Sequence, residues 1–71
     1  MIPDKTALER LRSRFPKGAR VRLVWMDDVQ APPVGTEGNV ISVDSIGTIH
    51  IAWDTGSSLG AAYGTDVVER V

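Results

Sequence analysis

The stretch "TIHIAWD", Thr48 to Asp54, constrains the fold of this chain more than any other. Ile49, Ile51 and Trp53 alternate with Thr48, His50 and Ala52. A strict period of two lines the large apolar side chains along one face of a β-strand, where a helix would scatter them. "RVRLVW" repeats the pattern, with Val21, Leu23 and Trp25 on one face and Arg20, Arg22 and Val24 on the other. "NVISVD" reads as a further strand. "SLGAAY" reads as a weaker one, interrupted by Gly60. "TDVVERV" closes the chain as a short strand, entered through one helical turn.

Turn chemistry separates these strands. "MDDVQAPPVGTEG" holds two prolines and two glycines, so it reads as a long loop that returns the chain. "DSIG" and "DTGSS" read as tight turns.

Only the first segment is helical in pattern. Pro3 and Asp4 suit a helix start, and Thr6-Ala7-Leu8-Glu9 fits a capping box. Leu8, Leu11 and Phe15 form one apolar stripe, with Arg10, Arg14 and Lys17 on the other side. Pro16 and Gly18 end the helix. A lone helix of about three turns is marginal in water, so its stripe must dock.

The 71 residues make a single domain, with a helix over about 4–15 and a barrel over about 18–71. A chain this short buries only about 60% of its unfolded surface and needs its sheet edges removed. Short strands at close spacing, with a long loop after the first, predict a mainly β fold. We expect a small five-stranded SH3-like barrel preceded by one short N-terminal α-helix.

Asp54-Thr55-Gly56-Ser57 spells the signature around the catalytic aspartate of aspartic proteases. Such a site needs two carboxylates sharing a proton, hence a symmetric dimer, and a flap from each protomer. Seventeen residues follow Asp54, with no second apolar-apolar-Gly element, and the barrel needs them. A hairpin turn explains each position. Asp54 would bond the backbone two residues on, and Gly56 would supply a positive φ. No catalytic residue is expected.

The chain contains no cysteine and one histidine, His50, so a thiolate or multi-histidine metal site is not expected. The acids lack calcium-loop spacing. His50 is expected to be a surface residue, and no cofactor is implied. "MIPDKTALERLRSRF" has no apolar core of a signal peptide, and no apolar run reaches membrane-spanning length. A cytoplasmic protein without membrane contact is the expectation.

Net charge is −1, but residues 1–22 carry seven basic against two acidic residues, while residues 23–71 carry one against seven. Either the basic segment is an interaction face, or it packs against the acidic body and neutralises it. Arg12, Arg14, Lys17, Arg20 and Arg22 are the candidate phosphate contacts. A pI of about 5.6, and strands without interleaved basic and aromatic residues, argue against base stacking. Among the aromatics, Phe15 and Trp53 belong to the core. Trp25 beside the long loop and Tyr63 near the last turn, with Asp27 and Asp28, are candidates for a peptide groove.

"FPKGARVRL", "MDD", "APPVGTEGNV", "VDSIGTIHIAWDTGSSL" and "GTDVVERV" together resemble a family of small domains of unknown function. That family occurs in phages, prophages, other mobile elements and Gram-positive bacteria. The resemblance runs from Pro3 to Val71 and implies a compact barrel with no known enzyme activity. Gly60-Ala61-Ala62 departs from it, with small residues where larger apolar ones are expected, which weakens the fourth strand. "VGTEGNV…IHIAWDTGS" is also similar to the pattern of SH3-like adaptor barrels, which bind peptides or polymers.

The sequence therefore predicts a non-enzymatic binding module that takes a protein or peptide beside the 26–38 loop. A phage-encoded anti-defence sponge for a nucleotide signal, built as a homo-oligomer, is the alternative. Nucleic-acid binding through residues 10–22 ranks third.

Overall fold

Asp4 starts the one helix: its carboxylate accepts the Ala7 N–H at 2.8 Å, an N-cap worth about 1 kcal/mol. The computed structural model describes residues 2–71, and the helix, α1, covers Lys5–Arg14. Thr6 therefore lies inside the first turn rather than capping it. The expected stripe docks: Phe15 is buried, and Leu8 and Leu11 pack half-buried against the core. Past the helix, Gly18 adopts φ 88° and donates its N–H to the Val40 carbonyl at 2.8 Å. The helix exit is thus tied directly to the sheet.

The strands are β1 (Arg20–Trp25), β2 (Glu37–Val43), β3 (Ile49–Trp53) and β4 (Val67–Arg70). They form one antiparallel sheet in the order β3-β2-β1-β4. Alternation along β1 and β3, with a register shift between Val40 and Ser42 that lets β2 bury both Val40 and Val43, sends Val21, Leu23, Val40, Val43, Ile49, Ile51, Trp53 and Val68 into a common core. Trp53 is 3% exposed, and its indole N–H donates to the Leu59 carbonyl at 2.8 Å. That bond satisfies the one polar atom a buried tryptophan carries.

The sheet has four strands, not the five expected. "SLGAAY" is reduced to a single bridge, Ala61 with Ile49, whose two N–H···O bonds are both 2.9 Å. The cause is the small residues. A Cβ on Gly60 would lie 2.6 Å from the Thr48 methyl, so the backbone approaches too closely for a side chain. Ala61 and Ala62 then offer little to pack. The following residues make the expected helical turn, with the Asp66 N–H on the Ala62 carbonyl at 2.9 Å.

A second departure falls at the end of β1. Its register shifts between Leu23 and Trp25, and this bulge breaks the alternation. Trp25 turns outward, 50% exposed, and Met26 takes the next buried position. The long loop then folds back in tight turns, with Ala31 against the core. The Gly35 N–H donates to the Leu23 carbonyl at 2.8 Å, which returns the chain to the sheet. No helix among the described residues is long and apolar enough to cross a membrane.

Candidate functional site

The turn before β4 is built around Asp66. One carboxylate oxygen accepts the Asp27 N–H at 2.9 Å, and the other accepts the Ala62 N–H at 2.8 Å. One side chain thus ties the start of the long loop to the turn that carries Tyr63. Asp28 works locally, accepting the Gln30 N–H at 2.8 Å.

Beside this clamp lies a partly open cavity of about 210 Å³ between α1 and β4. Leu11, Phe15, Ile49, Ala61, Val67 and Val68 give it apolar walls, and Arg14, Tyr63 and Asp66 bring polar groups to it. Gly47 belongs to the same lining because Pro3 and Tyr63 close on it: a Cβ there would lie 2.8 and 2.9 Å from their side chains. Of the four groove residues expected from sequence, Tyr63 lines the cavity, and Trp25, Asp27 and Asp28 do not. Trp25 and Asp27 adjoin it all the same, and Asp28 is engaged only locally with Gln30. Trp25 is the cross-strand partner of Val67, and Asp27 is held by Asp66. Trp25 and Val67 are each about half exposed, so apolar surface continues from the cavity to the end of β1.

Sequence reading missed Arg14, Leu11 and Asp66 as parts of this site. Leu11 reads from sequence as part of the docking stripe, and Arg14 as a phosphate contact on the basic side of the helix rather than as a wall of this cavity. Asp66 did leave a signal: an acid directly before an apolar strand, after a glycine turn, is placed to accept backbone N–H groups.

The five candidate phosphate contacts are dispersed. Arg20 and Arg22 lie on the outer sheet face and hold carboxylates. Arg22 bonds Glu69 through two nitrogens, at 3.0 and 2.6 Å. Arg20 bonds Glu37 at 3.3 Å and Asp54 at 2.9 Å, with a second bond to Asp54. Both guanidinium groups are held above their ordinary range by these partners. Arg12 donates to the Val43 carbonyl at 3.3 Å. Arg14 lies 5.4 Å over the Phe15 ring, and Lys17 is exposed. Part of the basic segment therefore neutralises the acidic body, and the part at the helix end does not.

The Asp-Thr-Gly-Ser stretch is a turn with the expected positive φ at Gly56 but without the expected Asp54 bond to the backbone. The Gly56 N–H donates to the Trp53 carbonyl at 2.9 Å, with φ 91° at Gly56. Asp54 does not bond the backbone two residues on. Its carboxylate goes to Arg20, which holds it below the usual carboxylate range against a smaller cost of burial. His50 is likewise engaged, with Nε2 2.8 Å from Asp44 Oδ2. Asp44 also accepts the Thr48 and Ile46 N–H groups at 2.9 and 3.1 Å. The His50 contact first, and then these amides, hold it below its ordinary range. Among the described residues no three His, Cys, Asp or Glu side chains converge as a metal ion would need.

The chain belongs to the family described as Domain of unknown function (DUF4314), whose model matches residues 4–71. No curated protein and no solved structure matches the chain.

Proposed function

We propose that this domain is a small non-enzymatic binding module for a protein or peptide partner. The partner is held at the apolar cavity between α1 and β4 and along the exposed surface that runs from Val67 to Trp25. The carrying observation is the cavity itself: a concave apolar site with Arg14 and Tyr63 converging on it is the default form of a binding pocket. Asp54, His50 and Asp44, the groups that general acid–base chemistry would draw on, lie outside the lining of that cavity, Asp54 paired with Arg20 and His50 with Asp44. This supports recognition rather than catalysis.

The same reading favours an SH3-like barrel in which the Ala61 bridge stands in place of the fifth strand. With Ala61 counted at the outer edge of β3, the order Ala61-β3-β2-β1-β4 is a meander whose last strand returns to the first. The long loop between β1 and β2 fits that architecture. The mobile-element setting of such an adaptor is what the family resemblance suggests, and a cytoplasmic setting is the reading of the N-terminal segment. A nucleotide is a poorer fit, because about 210 Å³ falls below the roughly 300–1,000 Å³ of small-molecule sites. Arg20 and Arg22, moreover, already carry carboxylates.

Panning a random peptide library on the protein tests the reading. Enriched peptides should lose binding to Trp25→Ala and to Tyr63→Ala while both variants keep the parent circular dichroism spectrum. Peptides that bind both variants unchanged, or no enrichment at all, would overturn it.

A further inference from the structure

The hydrogen-bond register of β4 bears on which part of a partner the cavity takes. β4 ends the sheet, so only one of its edges is paired. The Val71 N–H donates to the Arg20 carbonyl at 3.0 Å, and Glu69 stands opposite Arg22. Alternate residues of an antiparallel strand direct their backbone groups to opposite sides. Glu69 and Val71 therefore face β1, and Val68 and Arg70 present N–H and C=O to the open edge. Among the described residues these groups have no backbone partner.

That edge runs beside the cavity, since Val67 and Val68 line it and Leu11 and Arg14 form its other wall. Val68 stands opposite Leu23, and Arg70 opposite Val21, both core residues. A chain added to the edge would thus turn the residue opposite Val68 toward the cavity. Two positions along, the residue opposite Arg70 would fall on the same face. The charge at this end is positive. Arg70 donates to the Arg14 carbonyl at 2.9 Å, and neither arginine has a carboxylate partner among the described residues, unlike Arg20 and Arg22.

We propose that β4 takes an extended acidic peptide segment by strand addition, with an apolar side chain in the cavity and a carboxylate two residues away on Arg70 and Arg14. This rests on the peptide-binding reading above and specifies its ligand. The cavity suits one side chain rather than a whole ligand. Main-chain pairing then supplies affinity, and the apolar-x-acidic spacing supplies selectivity.

The test titrates labelled protein with a short capped peptide that carries Leu two positions from Glu in a strand-forming context. Binding should slow hydrogen exchange at the Val68 and Arg70 amides and shift Leu11 and Ala61 resonances. Replacing the peptide Leu by Ala, its Glu by Gln, or methylating the paired amide should each weaken binding about tenfold. Shifts at Leu11 and Ala61 without protection of Val68 and Arg70, with the methylated peptide binding equally, would overturn strand addition and leave the peptide-binding reading standing. No shift at the cavity with this peptide, after library binders have been mapped there, would overturn the acidic ligand class. Concentration-dependent protection of the two amides without peptide would instead make a second copy of the chain the occupant.

Discussion

Arg20 and Asp54 stand 34 residues apart in the chain and meet across the sheet, with Arg20 Nη1 donating to Asp54 Oδ1 at 2.9 Å. Arg20 belongs to β1, and Asp54 directly follows β3, so their bond crosses over β2. The Asp54 N–H is meanwhile held by the Glu37 carbonyl of β2 at 2.9 Å. The pair therefore stitches three strands on the solvent face, opposite the core.

Stability should accordingly fall in acid. Asp54 and Asp44 both titrate below the ordinary 3.8 when folded, held down by Arg20 and by His50 respectively. A depressed folded value means that the charged form favours folding. The contribution is complete well above 3.8 and is lost as pH falls through 3.8 and then through the folded values. Urea midpoints should be flat near neutrality and drop below about pH 4. Asp54→Asn should keep the fold and lose part of that acid dependence. An unchanged acid limb in both Asp54→Asn and Asp44→Asn would refute the assignment.

Two glycines should respond differently to substitution. At Gly56 the φ of 91° is the constraint, and a Cβ would meet nothing within 4 Å. Gly56→Val should therefore cost about 1–3 kcal/mol of backbone strain, and Gly56→Asn distinctly less, because Asn tolerates that region. At Gly38 the constraint is space: a Cβ would lie 2.7 Å from the Ala52 carbonyl oxygen and from the Ile51 side chain. Gly38→Ala should cost about 1–3 kcal/mol of overpacking, lowering the melting temperature by at least about 4–8 °C. Thermal melts of Gly56→Asn and Gly38→Ala that coincide would contradict this distinction.

What could be read beforehand follows from which forces act locally. The helix stripe, the alternation of β1 and β3 and the turn at Asp44 depend on neighbours within a few residues, and each is found where the spacing predicts it. The bulge that turns Trp25 outward depends on pairing with Val67, far along the chain, so alternation alone assigned Trp25 to the wrong face. Gly60-Ala61-Ala62 signalled a weak strand, but the approach to Thr48 that reduces it to one bridge is tertiary. Tyr63 was legible as a site residue because an aromatic near a turn is conspicuous. Leu11 was not, because nothing in a helical stripe shows which part lies over a gap, and Arg14 stood out only as one cation of a basic segment. Nor does a charge segment show which cations already have partners.

Asp66 should prove to be the hinge of the candidate site. Asp66→Ala leaves the Asp27 and Ala62 amides without their acceptor, at a cost of about 1–2 kcal/mol in an exposed setting. Asp66→Asn keeps one carbonyl oxygen and should retain roughly half of that. Hydrogen exchange at Asp27 and Ala62 should accelerate in the alanine variant, with Val40 in the core changing only by the global loss. Equal acceleration at all three amides would remove the clamp role.

Trp53 carries the last prediction, because its indole, together with the Ala61 bridge, ties the "SLGAAY" segment to the sheet. The Nε1–H donates to the Leu59 carbonyl at 2.8 Å, two residues before the Ala61 bridge to Ile49. Trp53→Phe keeps an aromatic ring in the core and removes that donor, so it should cost about 1–3 kcal/mol from the lost bond and the small void. The loss should be felt unevenly. The Ala61 amide, bonded to the Ile49 carbonyl at 2.9 Å, should exchange faster than the global destabilisation accounts for, because its segment has lost its anchor. Amides between β1 and β2 should follow the global change alone. Ala61 exchanging in step with them would mean that the bridge, not the indole, fixes the segment, and that the floor of the cavity is independent of Trp53.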